Sequence, residues 1–244
     1  TTTSLRGLIG ATLKVEVLTE GVHSGGASGH VPSSFRIARQ LLSRIENEKT
    51  GEVLLDELKT EIPDYRLKET EEFVSVLGDE VVEEFPWKET MEPSSSDNVE
   101  GVLRRTWRPA LSVVGADGLP PSANAGNVLR PFTQLQLSMR IPPMVDPIKA
   151  QGAMRKALTE NPPYNAKVTL HFEEGASGWN APETKPWLSK AMNKYSKIFF
   201  KEPSGSLCEG GTIPFMAMLG EQFPKAQFVI TGVLGPGSNA HGPN

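Results

Sequence analysis

Residues 11–34, ATLKVEVLTEGVHSGGASGHVPSS, join a predicted strand to a predicted helix through a glycine-rich turn. Apolar and polar residues alternate over Ala11–Val17, which predicts a strand with one buried face. Pro32 and Ser33 then open a helix, because proline is well suited to a first helical turn. The apolar stripe predicted for this helix consists of Phe35, Ala38, Leu42 and Ile45.

The turn between the two elements places His23 and His30 on either side of a run of small residues, Ser24–Gly29. Small residues let the backbone approach a ligand closely and adopt conformations closed to other residues. A histidine held there donates a hydrogen bond from a fixed position. A flexible turn with solvated histidines is the alternative, and the spacing alone does not decide between them.

Composition excludes several classes of protein. The chain has 244 residues, 38% of them hydrophobic and 22% charged, and a net charge of −4, which is ordinary for a globular protein. It lacks a basic stripe and any apolar run near the roughly 18–20 residues of a membrane span, so we expect neither nucleic-acid nor membrane binding. Its N-terminus, TTTSLRGLIG, lacks the apolar core of a signal peptide. The single cysteine, Cys208, is typical of a reducing compartment, which favours a cytoplasmic location.

Three segments of the chain alternate as strands do: Ala11–Val17, Thr133–Ile141 and Lys167–Glu173. A fourth segment, Ala110–Ala116, predicts a short apolar strand. A second helix begins at Asp146-Pro147, an N-cap followed by a first-turn proline, and runs to about Leu158. The order strand–helix–strand–strand–helix–strand predicts an α+β, ferredoxin-like domain. Such a domain has a four-stranded antiparallel sheet with two helices on one side.

The remaining segments have a different character. Lys49–Glu100 is acidic and predicts one or two surface helices, with a loop at Glu92–Asn98. Lys185–Phe200 predicts an amphipathic helix, and Gln227–Val233 is a continuous apolar run typical of a strand buried on both faces of an α/β sheet. One strand cannot form such a sheet, so we expect the C-terminal third to be a piece of a second, α/β domain.

Four loops carry polar residues that the hydrophobic pattern does not explain: His23–His30, Asn124–Asn127 leading towards Arg140, Ser206–Pro214 and Leu234–Asn244. In the third loop, Gly210 and Gly211 precede a short apolar helix. Their N–H groups favour an anion such as a carboxylate, and Thr212 adds a hydroxyl. A capped helix with a glycine turn is the alternative for this loop.

Single residues in these loops have two interpretations each. Arg140, on the polar face of a strand, either forks onto a substrate carboxylate or is a plain surface charge. His241 follows the predicted buried strand, where ligands bind in open α/β sheets, and a neutral imidazole is a natural metal ligand there. One histidine does not make a metal site, and no partner lies at ligand spacing. His171 is expected to be solvated on the sheet surface.

The four loops in this order resemble the M20 family of dinuclear zinc-dependent peptidases, which includes carnosinase-like dipeptidases, glutamate carboxypeptidases and aminoacylases. The segments that carry the resemblance are Arg6-Gly7, GVHSGGASG at 21–29, NAGNVLRP at 124–131, LSMRIPP at 137–143, EGGTIPF at 209–215 and GSNAHGPN at 237–244. The resemblance implies a lid domain that makes a homodimer, at about residues 7–177. Residues 178–244 would be a C-terminal segment of an α/β zinc-peptidase catalytic domain.

The resemblance also implies a role for individual residues. His23 matches the lid histidine that reaches into the partner subunit's active site and polarises the scissile carbonyl. Asn127 and Arg140 match substrate-holding positions of the lid, Arg140 through the substrate carboxylate. Thr212, with the Gly210-Gly211 backbone, matches the loop that contacts the same carboxylate end, and His241 matches the last metal ligand.

The family's other metal ligands and its general base lie before the lid, and none appears in this sequence. We therefore expect two divalent metal ions, zinc or alternatively manganese or cobalt, in the full-length enzyme only. The expected reaction is hydrolysis of a peptide or amide bond next to a free carboxylate, in a dipeptide or an N-acyl amino acid, with this chain alone inactive. Cys208 stands where dipeptidase relatives often carry arginine. The alternatives are a non-catalytic dimerisation module and a regulatory ferredoxin-like ligand-binding domain.

Overall fold

A computed structural model describes residues 1–232 of the chain. Within them lie nine strands: β1 (Thr2–Leu5), β2 (Gly7–Glu16), β3 (Val22–His23), β4 (Ala110–Asp117), β5 (Val128–Leu129), β6 (Phe132–Ile141), β7 (Lys167–Phe172), β8 (Trp179–Asn180) and β9 (Leu207–Glu209). The same residues form eight α-helices: α1 (Ser24–Ala27), α2 (Ser34–Leu42), α3 (Asp64–Leu77), α4 (Glu80–Glu83), α5 (Asn98–Thr106), α6 (Pro147–Thr159), α7 (Pro186–Phe199) and α8 (Pro214–Gln222). Each of these helices is too short or too polar to cross a bilayer.

The main sheet is antiparallel and has the strand order β4-β6-β2-β7. β2 and β6 pair along their whole length, from Gly7 opposite Ile141 to Glu16 opposite Phe132. β7 pairs with the other side of β2, and β4 pairs with the other side of β6. The four predicted strands are therefore confirmed, although β2 begins at Gly7, before the stretch in which the alternation is clear.

One face of the main sheet carries the hydrophobic core. Its strand residues are Ile9, Ala11, Leu13, Val15, Leu135, Leu137, Met139 and Ile141, all buried. α2 and α6 cover this face and add Ile37, Leu41, Ala150, Met154 and Leu158 to the same cluster. Both helices thus lie on one side of the sheet, as the order of elements predicted. Truncating one of the leucine, isoleucine or methionine side chains of this cluster to alanine is expected to cost about 2–5 kcal/mol.

α2 begins where the sequence places it, because the Ser33 hydroxyl accepts the backbone N–H of Arg36 at 3.4 Å. Its buried positions are Ser34, Ile37, Ala38 and Leu41. The prediction that Phe35 belongs to the buried stripe is wrong, since Phe35 is 42% exposed. Ser34 takes the inward position because its hydroxyl pairs with that of Thr133 at 2.9 Å, and the next residue lies about 100° further round the helix.

α6 confirms the second predicted helix and its N-terminal signals. A carboxylate oxygen of Asp146 accepts the N–H groups of Ile148 and Lys149, at 2.8 and 3.4 Å. Pro147 occupies the first helical turn, where a missing N–H is tolerated.

A second, smaller sheet has the order β8-β1-β9, with β8 antiparallel and β9 parallel to β1. Leu5, Trp179 and Met216 are buried between this sheet and α8. The prediction of a buried strand at Gln227–Val233 is wrong for its described part, residues 227–232, which form no strand. Val229 is 52% exposed there, and Thr2 donates a single backbone hydrogen bond to the Ile230 carbonyl in place of a ladder.

The helices α3, α4 and α5 lie between α2 and β4 in the chain, and α3 and α5 pack against β9. Helices were predicted in this acidic segment, but their exposure was overestimated, because Arg66 of α3 is fully buried. Its guanidinium donates to the Asn180 side chain at 2.9 Å, to the Glu69 carboxylate at 2.6 Å and to the Ala181 carbonyl at 2.7 Å. These bonds join α3 to the second sheet.

Candidate functional site

The first group of predicted site residues lies at the end of the main sheet where β6 begins. His23 in β3 is paired with Val128 in β5, and the backbone N–H of Ser24 donates to the Asn127 carbonyl at 2.9 Å. His23 and Asn127, about a hundred residues apart in the sequence, are therefore neighbours. Both are exposed, so their side chains are accessible to a ligand from solvent.

Gly25 explains part of the glycine-rich turn. A Cβ atom at this position would lie 2.7 Å from Cε1 of the His23 ring, closer than real side chains approach. The imidazole therefore folds back over the backbone of Gly25, and a larger residue there would displace it. Gly25 thus leaves room for the ring to lie against the backbone of the turn.

The second group lies at the opposite end of β6. Arg140 is half-buried between Leu8 of β2 and Ala110 of β4. Its Nη1 group donates a hydrogen bond to the Thr212 hydroxyl at 2.7 Å. Two loops that the sequence singled out separately thus meet in a direct contact.

Arg6 completes this second group, although no role was predicted for it. Its side chain is almost fully buried, and Nε donates to the Gly210 carbonyl at 3.2 Å. Nη1 lies 3.4 Å from the Arg104 carbonyl. Gly210 is required there, because a Cβ atom would lie 2.4 Å from the Arg105 carbonyl oxygen. The sequence contained a signal in the Arg6-Gly7 pair, but the pair alone does not show that the guanidinium turns towards residue 210.

The second group is strongly cationic. Burial, followed by the positive charges of Arg140 and Arg105, lowers the pKa of the Arg6 guanidinium to about 10. Arg105 forms an ion pair with Glu84. Among the ion pairs formed within residues 1–232, none includes Arg6 or Arg140. Two neighbouring guanidinium groups without a carboxylate favour the binding of an anion.

The two groups are far apart within one chain. Strands rise about 3.3 Å per residue, so Phe132 and Arg140, at the two ends of β6, are about 26 Å apart. His23 lies beyond the Phe132 end, since its partner Val128 precedes β6. A dipeptide is far too short to contact His23 and Arg140 of the same chain.

The remaining predicted residues have simpler outcomes. Cys208 is buried, and its sulfur accepts the indole N–H of Trp107 at 3.2 Å, which is a packing role. His171 is exposed on β7, as expected for sheet surface. His241 lies outside the described residues. Within residues 1–232, the structure contains no group of three or more His, Cys, Asp or Glu side chains that could hold a metal ion.

The fold and the site together define an α+β chain with an antiparallel four-stranded sheet, one end of which carries two neighbouring guanidinium groups. A family model described as a peptidase dimerisation domain, M20_dimer, matches residues 3–165. Because the match covers more than half of the chain, the protein belongs to the M20 peptidase dimerisation-domain family.

Solved structures with a similar fold include the dipeptidase Dug1p of Saccharomyces cerevisiae, with a TM-score of 0.70 and 19% identity over 91% of this chain and 47% of that one. Human carnosine dipeptidase 1 has a TM-score of 0.66 and 15% identity over 90% and 47% of the two chains. The M20 metallo-carboxypeptidase Sso-CP2 of Sulfolobus solfataricus has a TM-score of 0.64 and 17% identity, over 90% of this chain and 49% of that one. The chain spans about half the length of each. A comparison with curated protein sequences finds no match.

Proposed function

We propose that this chain belongs to an enzyme that hydrolyses a peptide or amide bond next to a free carboxylate, in a dipeptide or an N-acyl amino acid. In that enzyme the chain supplies the lid, the dimer contact and the carboxylate-binding part of the active site. The observation that carries the proposal is the contact of Arg140 with Thr212 beside a second guanidinium, Arg6, with no carboxylate paired to either arginine among residues 1–232. Membership of the M20 family supports the reaction type.

The donors around Thr212 suit a carboxylate. Arg140 donates to the Thr212 oxygen, which leaves the hydroxyl hydrogen of Thr212 free to point at a ligand. The hydrogen bond uses Nη1 of Arg140, so its other guanidinium nitrogens remain for a forked contact. The backbone N–H groups of Gly210 and Gly211 are further donors in the same loop. These groups would hold the carboxylate end of a substrate and fix its orientation.

The separation of the two groups supports a site shared between two copies. β4 is the edge strand next to β6, with Ala110 opposite Arg140 and Asp117 opposite Gln134. Antiparallel pairing of two copies of β4 about a two-fold axis would place Ala110 opposite Asp117 of the second copy. Arg140 would then be three strand spacings, about 14 Å, from the beginning of β6 in the second copy. A substrate and two side chains can span that distance.

We therefore propose that His23 and Asn127 act on the site of the partner copy. The His23 imidazole would donate a hydrogen bond to the carbonyl oxygen of the scissile bond, where negative charge develops during attack by water. Asn127 would hold the substrate beside it. His23 would thus stabilise the oxyanion, while Arg140 of the other copy holds the carboxylate.

The homodimer would form along β4. Residues 112–117 of this strand are exposed, including Val113 at 48% and Val114 at 63%. An edge strand with unpaired backbone groups and exposed β-branched side chains is a template for pairing with another strand. The pairing would continue the four-stranded sheet of each copy into one sheet across the dimer.

Two divalent metal ions, zinc or alternatively manganese or cobalt, would supply the activated water in the whole enzyme. The described residues 1–232 do not fit such a pair of ions, since they contain no suitable ligand cluster. His241, the proposed ligand, lies outside the described residues. The residues of this chain would act on the substrate and on its carbonyl oxygen.

The domain division follows the two sheets. We propose a ferredoxin-like lid domain over residues 7–177 and, from residue 178, a segment of an α/β zinc-peptidase catalytic domain. The order β4-β6-β2-β7 with both helices on one face supports the first assignment. The separate sheet β8-β1-β9 with α8 supports the second. A cytoplasmic location is proposed on the single, unpaired Cys208.

The test uses the whole enzyme that contains this chain. His23→Ala should lower kcat steeply with unchanged metal content, because it removes a donor that acts in the transition state. Arg140→Ala should mainly raise KM for substrates with a free carboxylate and leave amidated substrates unaffected. His171→Ala is the matched control, an exposed histidine on β7 that should change neither parameter. An unchanged kcat for His23→Ala would remove its role, and an equal effect of Arg140→Ala on amidated substrates would remove the carboxylate clamp.

Mixing the two variants tests the shared site, in an assay at a concentration of free-carboxylate substrate far below the KM of Arg140→Ala, where both variants are slow. In a mixed dimer of His23→Ala and Arg140→Ala, one of the two sites would contain both intact residues. The rate should therefore rise on mixing if the residues act from different copies. A rate that stays at the average of the two variants after subunit exchange would show that His23 and Arg140 serve the same copy.

A non-catalytic dimerisation module is the second candidate. It is favoured by the match of residues 3–165 to a model described as a dimerisation domain. In that case sedimentation would show a dimer that a metal chelator leaves unchanged, and carboxylate ligands would not bind. Binding of a carboxylate that Arg140→Ala abolishes would exclude this candidate.

A further inference from the structure

An apolar cavity lies directly beside the cationic group. Its volume is about 290 Å³, and Arg6 forms part of its wall. The apolar lining residues are Val81, Val82, Phe85, Trp87, Pro93 and Val102. These side chains come from α4, α5 and the segment between them, and they are separate from the groups assigned to the carboxylate and to the carbonyl oxygen.

The cavity and the anion site share structural elements. Arg6 lines the cavity and donates from Nε to the Gly210 carbonyl at 3.2 Å. Ala110 also lines the cavity, and it is paired with Arg140 in the main sheet. A ligand whose anionic group lies between Arg6 and Arg140 therefore has the cavity as its immediate neighbour.

The aromatic wall of the cavity is held in place. Phe85 and Trp87 pack edge to face, with ring centroids 5.9 Å apart. The indole N–H of Trp87 donates to the Val82 carbonyl at 2.7 Å, and the Arg105 guanidinium lies 5.6 Å from the Phe85 ring. Both rings remain about two-fifths exposed, at 44% and 42%. They present fixed apolar surface that a ligand would cover.

Gly101 leaves room for a ligand. It lies in the middle of α5, where glycine destabilises a helix relative to alanine. It also lines the cavity, and a Cβ atom added to it would meet nothing within 4 Å. Local packing therefore does not require a glycine at this position.

We propose that this cavity binds the apolar side chain of the substrate residue that carries the free carboxylate. Substrates that end in a residue such as leucine or phenylalanine would then be preferred over those that end in glycine. The proposal rests on the proposed function, because it needs the carboxylate to lie at Arg6 and Arg140. The carboxylate and the side chain of an amino acid branch from one Cα atom, so a cavity that shares Arg6 with the anion site has the required proximity.

The experiment measures equilibrium binding of three small ligands to the chain by calorimetry. The ligands are N-acetylphenylalanine, N-acetylglycine and the amide of N-acetylphenylalanine. The phenylalanine acid should bind at least about tenfold more tightly than the glycine acid, since it buries an aromatic side chain. Gly101→Leu should fill the cavity and abolish this preference without weakening binding of the glycine acid.

Two further variants keep the test independent of folding effects. Gly152→Leu in α6 is the matched control, because its Cβ also meets nothing within 4 Å and it does not line the cavity. It should keep the full preference. Phe85→Ala removes the aromatic wall at a partly exposed position and should reduce the preference for the phenylalanine acid.

The possible results distinguish a failure of the cavity proposal from a failure of the proposed carboxylate site. Equal binding of the two acids, or a preference that survives Gly101→Leu, would overturn the cavity proposal and leave the carboxylate site intact. Equal binding of the phenylalanine acid and its amide would show that no carboxylate is held beside the cavity, which overturns both. Absence of binding for all three ligands would also overturn both.

Discussion

The buried guanidinium of Arg66 offers a stringent test of how α3 is attached to the second sheet. The perturbation is Arg66→Ala, which removes a fully buried side chain and its bonds to Asn180, Glu69 and Ala181. The Glu69 carboxylate accepts a further hydrogen bond from Thr3 at 2.8 Å. The substitution therefore leaves a largely buried carboxylate without its counterion and two other acceptors without a donor.

The magnitude follows from these contacts. Removing one partner of a buried ion pair costs about 3–5 kcal/mol, because the other charge remains desolvated. For a chain of this size each kcal/mol lowers Tm by about 2–4 °C, so Tm should fall by about 6–20 °C. Glu69→Gln keeps the shape of the side chain and one acceptor, and it should cost less than Arg66→Ala.

Urea unfolding followed by circular dichroism measures this free energy. Arg39→Ala is the matched control, since Arg39 is an exposed arginine of α2. It should change the free energy of unfolding by no more than about 0.5 kcal/mol. A loss below about 1 kcal/mol for Arg66→Ala would refute the reasoning, because it would mean that the guanidinium is solvated and that α3 is held by its apolar contacts alone.

Three further predictions concern the carboxylate site and the dimer. The affinity for a carboxylate, measured by calorimetry, should be constant between about pH 6 and 9 and weaken above about pH 10. The reason is that Arg6 loses its positive charge as the pH rises through its lowered pKa. Constant affinity up to about pH 11 would contradict a role for that charge. Val114→Lys should weaken the dimer in sedimentation experiments while leaving Tm of the monomer unchanged, since Val114 is 63% exposed, and an undiminished dimer would place the interface elsewhere. Gly210→Ala should weaken carboxylate binding, because the added Cβ would lie 2.4 Å from the Arg105 carbonyl oxygen. Gly211→Ala is the control and should bind normally, since its Cβ would meet nothing within 4 Å. Equal affinities of the two variants would show that the loop moves freely.

The main sheet was predictable because one of its faces is buried. Alternation with a period of two follows directly from that burial, and it located β6 and β7 closely. Helix caps were equally informative at Ser33 and Asp146, where a side chain satisfies N–H groups of the first turn. These signals are local, so one sequence is enough to detect them.

Signals that depend on distant contacts were missed. Phe35 was assigned to the core because its spacing fits an apolar stripe, but the hydroxyl of Ser34 finds a buried partner in Thr133 and takes the inward position. Arg66 has the composition of a surface residue, and its burial depends on acceptors more than a hundred positions away. A strong apolar run at 227–232 forms no strand in the structure, because strand formation requires a ladder that composition alone does not supply.

In the candidate site, too, residues with a local signal were found and residues defined by distant contacts were missed. His23, Asn127, Arg140 and Thr212 were identified from the loops that carry them, and the structure places them in two groups. The contribution of Arg6 could not be predicted, because its partners Gly210 and Arg104 lie in distant elements. The cavity beside it is formed by a segment whose sequence indicates only acidic surface.

Arg6 also occupies a special position in the chain. It is the one residue between β1 of the second sheet and β2 of the main sheet. Next to Arg6, the backbone passes close to residues 176–178, which follow the last strand of the main sheet. A Cβ atom at Gly7 would lie 2.7 Å from the Ala176 carbonyl oxygen, and one at Gly178 would lie 2.7 Å from the Leu5 carbonyl oxygen. The guanidinium that we assign to carboxylate binding is therefore attached to the junction of the two sheets, while Arg140 belongs to one sheet and Thr212 follows the other. A carboxylate held by all three would connect both sheets, so ligand binding should resist their relative displacement.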